Sequence, residues 1–376
     1  MRGERLGVVR VSRVGVCGAL VEGRFLRGDI ELVDGVITRV GMDASGSDSV
    51  GTAIAVPGMV DLQVNGAVGV DLRDADRDGY GVVGAFLASR GATAAQPTFY
   101  SQDIDSYRRA LGRLGEVLAD PPSGARWLPA HLEGPFLSMD RSGAHRSEDL
   151  LGCDPAVLQS LLAAGSVGFM TIAPELPGAI DLIAQLVESR VVVSIGHTDA
   201  DVEQVMAAVD AGARHVTHCW NAMRPISARD PGPIGVALSD SRLTVGVIAD
   251  LVHVAAPVLA FSAAAARGRL AATTDAVLYA GMDRASWRTG PDLIGLVGGA
   301  PRAADGTICG GIATPDQCLR NLLDAGLDLA DAVDACGGAQ RRLLGLDPVR
   351  LVPGETAEFV VLDDAMSPLR TIVDGR

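Results

Sequence analysis

The sequence predicts an α/β protein: a (β/α)8 TIM-like barrel over residues 57–346, with a small β domain assembled from residues 1–56 and 347–376. Three observations carry this reading. Strand-like and helix-like segments alternate about eight times over roughly 250 residues, which is the arithmetic of that barrel. Both ends carry short strands and tight turns, and neither end can bury a core alone. The polar, metal-competent residues gather at the carboxyl ends of the predicted strands, where a barrel carries its site. A doubly wound open sheet competes, but no GxGxxG follows any predicted strand.

At the amino end, residues 29–32 and 36–40 flank the tight-turn pair Asp34-Gly35 and read as a hairpin. Barrel strands are expected at 59–63, 92–98, 128–133, 168–173, 191–195, 215–218, 243–248 and 270–274. The spacing predicts helices over 102–118, 178–188 and 201–211, the last with Val202, Val205, Met206 and Val209 on one face. Gly212 stops that helix, and Thr314-Pro315 opens a late one. The carboxyl end echoes the amino end. A strand over 358–362 leads to a turn near Ser367-Pro368, a strand over 371–373, and Asp374-Gly375.

Composition narrows the function. At 48% hydrophobic and 21% charged, the chain has a core-forming balance. A net charge of −14 argues against nucleic-acid binding, and an anionic substrate would need a local basic pocket. The amino end has no apolar stretch of the signal-peptide kind, and the apolar run at 255–266 is short and contains Pro257. A cytoplasmic protein with no membrane partner is therefore expected. The six cysteines are scattered without a CxxC pair and read as free thiols. All 32 basic residues are arginine, which excludes a P-loop, a lysine Schiff base and a metal pair bridged by carboxylated lysine.

His197 and His218 lie just past the ends of consecutive strands in one β-α-β unit. A parallel sheet would bring both imidazoles to one face, which suits a divalent metal, although two unrelated histidines would leave the same pattern. Glu133 ends an earlier strand and completes a Glu-His-His set with one coordination position open for water; alone, it could equally cap a turn. Asp275 ends the small-residue strand AATTD. There it either caps the next loop or takes a proton from water beside the metal and returns it to a leaving group. All six histidines fall between His131 and His253, and His131 and His215 are expected to be structural.

The ordered series PGMVDLQVNG, HLEGPF, IGHTDA, THCWNAM, TTDA and GTICGG resembles the N-acetylglucosamine-6-phosphate deacetylase family of the amidohydrolase superfamily over nearly the whole chain. The resemblance implies a metal-dependent hydrolase barrel with a β-sandwich built from both ends. It also implies removal of acetate from the 2-amino group of N-acetylglucosamine 6-phosphate. On that resemblance, Glu133, His197 and His218 hold one divalent metal, zinc first, with iron, cobalt and manganese as alternatives. Asp275 becomes the catalytic acid and base, and His145 polarises the substrate amide. Ala144, His145, Asn221, Ala222 and Ile308 fall at substrate-binding positions, and Arg229 and His253 at phosphate ligands shared across a homodimer interface.

Gln63 and Asn65 stand where many superfamily members carry His-x-His. Neutral amides bind transition metals weakly, so they read as a vestigial second-metal position. Trp220 is expected to shape the pocket, and Cys219 to invite extra metal or oxidation. The rival enzyme readings are an N-acetylgalactosamine-6-phosphate deacetylase or another amidohydrolase. The rival from another class is a sugar-phosphate-binding barrel without turnover.

Overall fold

The computed structural model describes residues 10–43, 51–283, 286–289 and 292–376; the parts of the amino-end expectation at 1–9 and 44–50 lie outside the described residues. Eight strands form the barrel wall: β1 (Met59–Val64), β2 (Ala92–Tyr100), β3 (Ala130–Glu133), β4 (Val167–Ile172), β5 (Val192–Ile195), β6 (His215–Val216), β7 (Thr244–Ile248) and β8 (Leu270–Thr273). Each pairs in parallel with the next in chain order. Parallel neighbours need a crossover, and a helix supplies each one. These are Arg77–Ser89, Ile104–Ala119, Pro155–Ala164, Ala179–Glu188, Val202–Ala211, Gly232–Ser239 and Ala256–Ala265; Pro315–Asp324 follows β8.

Local chemistry explains the boundaries. Asp201 and Gln204 form a reciprocal capping box at the start of Val202–Ala211, and Gly212 ends that helix at φ 116°. Thr314 and Gln317 do the same for Pro315–Asp324. The expected strand at 128–133 begins two residues later, at Ala130, because Pro129 has no N–H to give a ladder. The expected strand at 215–218 stops at Val216; His218 turns out of the extended region at φ 30°.

The wall closes differently at its seam. Among the described residues β8 and β1 share no ladder; Val64 and Ala276 form a single bridge. The backbone N–H groups of Asn65 and Gly66 donate to the Ala276 carbonyl at 2.7 and 3.1 Å. Inside, Val60, Leu62, Ala94, Leu128 and Phe169 form one buried cluster, and the Phe169 ring packs edge-on against His131 and His215.

Strands from both ends form a five-stranded sheet in the order Pro368–Ile372, Phe359–Leu362, Ile54–Pro57, Gly18–Val21, Arg24–Arg27. A three-stranded sheet of Val11–Arg13, Asp29–Val33 and Val36–Met42 contains the expected hairpin. Val14, Val16, Ile30, Ile37, Leu351 and Phe359 share one buried cluster from both ends of the chain. The Asp-Gly turns at 34–35 and 374–375 pack backbone to backbone, so close that a Cβ on Gly35 would sit 2.6 Å from the Gly375 carbonyl oxygen. Pro368 opens its strand instead of sitting in a turn, since the first residue of a strand needs no donor. The antiparallel strands Ser286–Thr289, Asp292–Val297 and Ala300–Arg302 had no sequence-based expectation. No helix among the described residues is long and apolar enough to cross a membrane.

Gly246 on β7 lies against β6: a Cβ there would come within 2.7 Å of the His215 ring and 2.8 Å of the Val216 carbonyl oxygen. Gly115, within Ile104–Ala119, would meet nothing within 4 Å. Gly246→Ala is therefore expected to destabilise by ~1–3 kcal/mol through overpacking. Gly115→Ala should stabilise by ~0.5–1 kcal/mol through helix propensity. Thermal melts of the two variants should move in opposite directions.

Candidate metal and catalytic site

A belt of polar side chains crosses the inside of the wall. His131 bridges Thr98 on β2 and Thr171 on β4, at 3.2 and 2.8 Å from its two ring nitrogens. Thr171 meets Thr217 at 2.8 Å, Thr217 meets Ser194, and Ser194 reaches His215 Nδ1 at 2.8 Å. Burial lowers His131 to about 4 and His215 to about 3, so both imidazoles stay neutral. They serve the wall, as the sequence suggests.

Glu133, His197 and His218 come from the ends of three different strands, and their ligand atoms lie within 4.8 Å of one another. Glu133 Oε1 is 2.9 Å from His218 Nε2 and 3.3 Å from His197 Nε2, and the two imidazole nitrogens are 3.1 Å apart. His197 Nδ1 sits 2.9 Å from the Arg141 carbonyl oxygen. A carbonyl only accepts, so Nδ1 carries the ring proton and Nε2 turns a lone pair towards the centre. Asp199 holds Arg141 at 2.8 and 2.6 Å. Burial pushes the Glu133 carboxyl up, but positive charge shared with the facing His197 and His218 nitrogens, carried by a proton or by a cation in its place, outweighs it and holds Glu133 well below the usual range.

The donor set fits a divalent cation. Ligand arms of about 2.0–2.1 Å in a tetrahedron give edges of about 3.3 Å, close to these three separations. His218 Nδ1 is buried without a partner, so nothing opposing it ties its ring to another role.

The two amides of β1 and its exit are already engaged. Gln63 Nε2 donates to Glu133 Oε1 at 3.0 Å, and Asn65 Nδ2 donates to Asp275 Oδ1 at 2.9 Å. Burial, then the charge of Glu133, pushes the Asp275 carboxyl up to about 8, against the pull of His218 and the Asn65 hydrogen bond. His145 accepts from the Ser101 backbone N–H at Nδ1, at 3.3 Å, so its proton sits on Nε2. That nitrogen is 3.8 Å from Glu133 Oε2, too far for a hydrogen bond, and is free to donate elsewhere. The His145 ring packs edge-on against His197, with centroids 4.5 Å apart.

Other predicted positions surround this centre less directly. The side-chain amide of Asn221 donates to the His218 carbonyl at 3.3 Å, and the Ala222 carbonyl accepts from Thr198 N–H at 3.1 Å. The first closes the loop after His218 on itself, and the second ties it to the loop after His197. His253 is buried at its side chain, with Nδ1 2.7 Å from Asp250 Oδ2. Arg229 is exposed on the 224–231 loop and has no partner among the described residues. Ala144 is exposed, and Ile308 is half-buried and bridges Arg302.

Cys219 departs from expectation. It is fully buried, burial pushes its thiol up to about 12, and it stays outside the metal cluster. A thiol that cannot ionise is a poor ligand. Trp220 is pinned through Nε1 to Ser262 Oγ at 2.8 Å. Sequence reasoning missed the Arg141 carbonyl, for which no side-chain pattern gives a signal, and Asp250 as the partner of His253, visible only as an i, i+3 pair.

Known proteins resemble this chain over most of its length. An N-acetylglucosamine-6-phosphate deacetylase of Bos taurus is 34% identical over 341 residues, covering 86% of this chain and 83% of its own. An N-acetylgalactosamine-6-phosphate deacetylase of Escherichia coli O157:H7 is 29% identical, covering 92% of this chain and 93% of its own. A variant of the Mycobacterium smegmatis N-acetyl-D-glucosamine-6-phosphate deacetylase, solved in complex with N-acetyl-D-glucosamine-6-phosphate, superposes with a TM-score of 0.90 at 34% identity. That superposition covers 98% of this chain and 99% of the other. No protein-family model matches the chain.

Removing the Gln63 donor from Glu133 should loosen the cation site without deleting a ligand. Gln63→Leu is expected to weaken binding of an added divalent metal roughly 10–100-fold, measured by chelator competition.

Proposed function

The chain belongs to the N-acetylglucosamine-6-phosphate deacetylase family, and on that premise we propose that it hydrolyses the acetamido group of N-acetyl-D-glucosamine 6-phosphate to D-glucosamine 6-phosphate and acetate. The observation that carries this reading is the convergence of Glu133, His197 and His218 from three strands on one point. We assign them as ligands of one divalent ion per chain, zinc first, with iron, cobalt and manganese as the other fits. When bound, such an ion polarises the amide carbonyl and makes a neighbouring water more acidic.

The chain's own groups do the rest. His145 donates a hydrogen bond from Nε2–H to the acetamido oxygen as negative charge develops there, keeping its proton. Asp275, with Oδ1 held by Asn65, takes a proton from the attacking water on its other oxygen. Collapse of the tetrahedral intermediate then returns that proton to the departing amine. Asn221 and Ala222 line the sugar, Ala144 and Ile308 complete its walls, and His253 and Arg229 bind the phosphate. Binding energy from that remote phosphate orients the amide for attack. The unpartnered, exposed Arg229 supports a homodimer in which it reaches the site of its partner, and we place the enzyme in cytoplasmic amino-sugar metabolism.

The intact Glu-His-His-Asp set disfavours a binding barrel without turnover. Acetate release from the two epimeric N-acetylhexosamine 6-phosphates, with metal analysis of the same preparation, tests the reading. The gluco epimer should be the better substrate, about one equivalent of metal should be present, and chelation should abolish release. Better turnover of the galacto epimer would favour the activity of the E. coli relative instead. Asp275→Asn is expected to lose roughly 10²–10⁴-fold in kcat with metal retained. Arg229→Ala should raise KM for the phosphorylated substrate roughly 10–100-fold. It should leave turnover of unphosphorylated N-acetylglucosamine unchanged.

A further inference from the structure

Behind the catalytic aspartate lies a second buried carboxylate that the reaction does not use. Asp61, on β1, is 2% exposed and lines a small cavity with Cys318 of the Pro315–Asp324 helix and with Cys336. It therefore sits between wall and helices. Four donors converge on it. Thr273 Oγ1 donates to Oδ1 at 2.6 Å and Thr274 Oγ1 to Oδ2 at 2.5 Å; the backbone N–H groups of Gln63 and Thr274 reach Oδ1 at 3.2 and 3.3 Å. Burial pushes the Asp61 carboxyl up, and these donors pull the other way.

The contacts fall on the β8–β1 seam, where the ladder is missing. They also grip Thr274, the residue just before Asp275. Asp275 stands at φ 49°, a left-handed conformation that costs a non-glycine residue about 1 kcal/mol or more and persists only where its surroundings enforce it. Thr274 precedes it, and the Thr274 hydroxyl accepts from the backbone N–H of Ala276, which follows it, at 3.1 Å. A hydroxyl has one proton to give. Because Asp61 takes that proton, the lone pair of Thr274 is turned to Ala276, and the three-residue turn closes around Asp275.

We propose that Asp61 is a positioning residue for the deacetylation: through the Thr274 hydroxyl it locks the backbone of Asp275 in the left-handed turn that presents the carboxylate to Asn65 and to the water. This rests on the function proposed above. Replacing the Thr274 hydroxyl leaves every ligand and substrate contact in place, so its loss falls on kcat; Asp61 also accepts from the Gln63 backbone N–H, so its variant is scored on kcat together with metal content.

The test uses Asp61→Asn, Thr274→Val, Thr274→Ser and the Asp61→Asn/Thr274→Val double variant in the full-length, metal-loaded protein. Thr274→Val is expected to lower kcat at least roughly tenfold with KM and metal content within about twofold of wild type, and Thr274→Ser to restore it. The double variant should be no worse than the poorer single one, because both act through one chain of bonds. Unchanged kcat in Thr274→Val, or losses of kcat that follow metal content and thermal midpoint and resist Thr274→Ser, would overturn the proposal. Wild-type protein that releases no acetate would refute the function instead. The brace is then judged by crystal structures of wild type and Thr274→Val, in which Asp275 must leave the left-handed region only in the variant.

Discussion

Two imidazole nitrogens 3.1 Å apart, both facing one carboxylate oxygen, form a contact that the rest of the molecule is arranged to create. In a buried site it is an unstable gathering of lone pairs unless something positive occupies the centre. The Arg141 carbonyl sharpens the point by placing the only proton of His197 on the far nitrogen. Gln63 contributes another donor to the same Glu133 oxygen, so the carboxylate is oriented before any ligand arrives. A cation is the chemical solution to that geometry, which is why the site is read through its donors.

Backbone conformation does much of the aiming. His197, His218 and Asp275 all have positive φ, at 47°, 30° and 49°. Each sits at or just beyond the end of a parallel strand, where the chain must leave the wall. A left-handed residue there breaks the strand's alternation of faces, and the ligand atoms of His197 and His218 converge with Glu133. Such residues are held by their neighbours: Thr198 and Ala222 bond to one another beyond the two histidines, and Thr274 closes on Ala276 around the aspartate. The strain falls on the residues to which the proposed chemistry is assigned.

Charge follows the same division of labour. The chain carries −14 overall, yet it is directed at an anionic sugar phosphate. A local cation such as the exposed Arg229, and an imidazole held by a carboxylate as Asp250 holds His253, are the groups to which the proposed phosphate contact is assigned. Arginine supplies every basic side chain, and its planar fork suits phosphate.

The sequence by itself determined the eight-strand alternation and the Glu133, His197, His218 and Asp275 set. Apolar period and strand-end position are local properties that survive without coordinates. It also marked the Asp-Gly turns, although not that those at 34–35 and 374–375 pack together. Three matters were decided only by the tertiary structure: that Gln63 and Asn65 hold carboxylates, that Cys219 is sealed away from the cluster, and that Asp61 grips the strand at the far end of the wall. The Gln63, Asn65 and Asp61 contacts depend on which atoms lie close across gaps of 70 to 213 residues. Hydrogen bonding acts over a few ångströms of space, and no spacing along the chain encodes it.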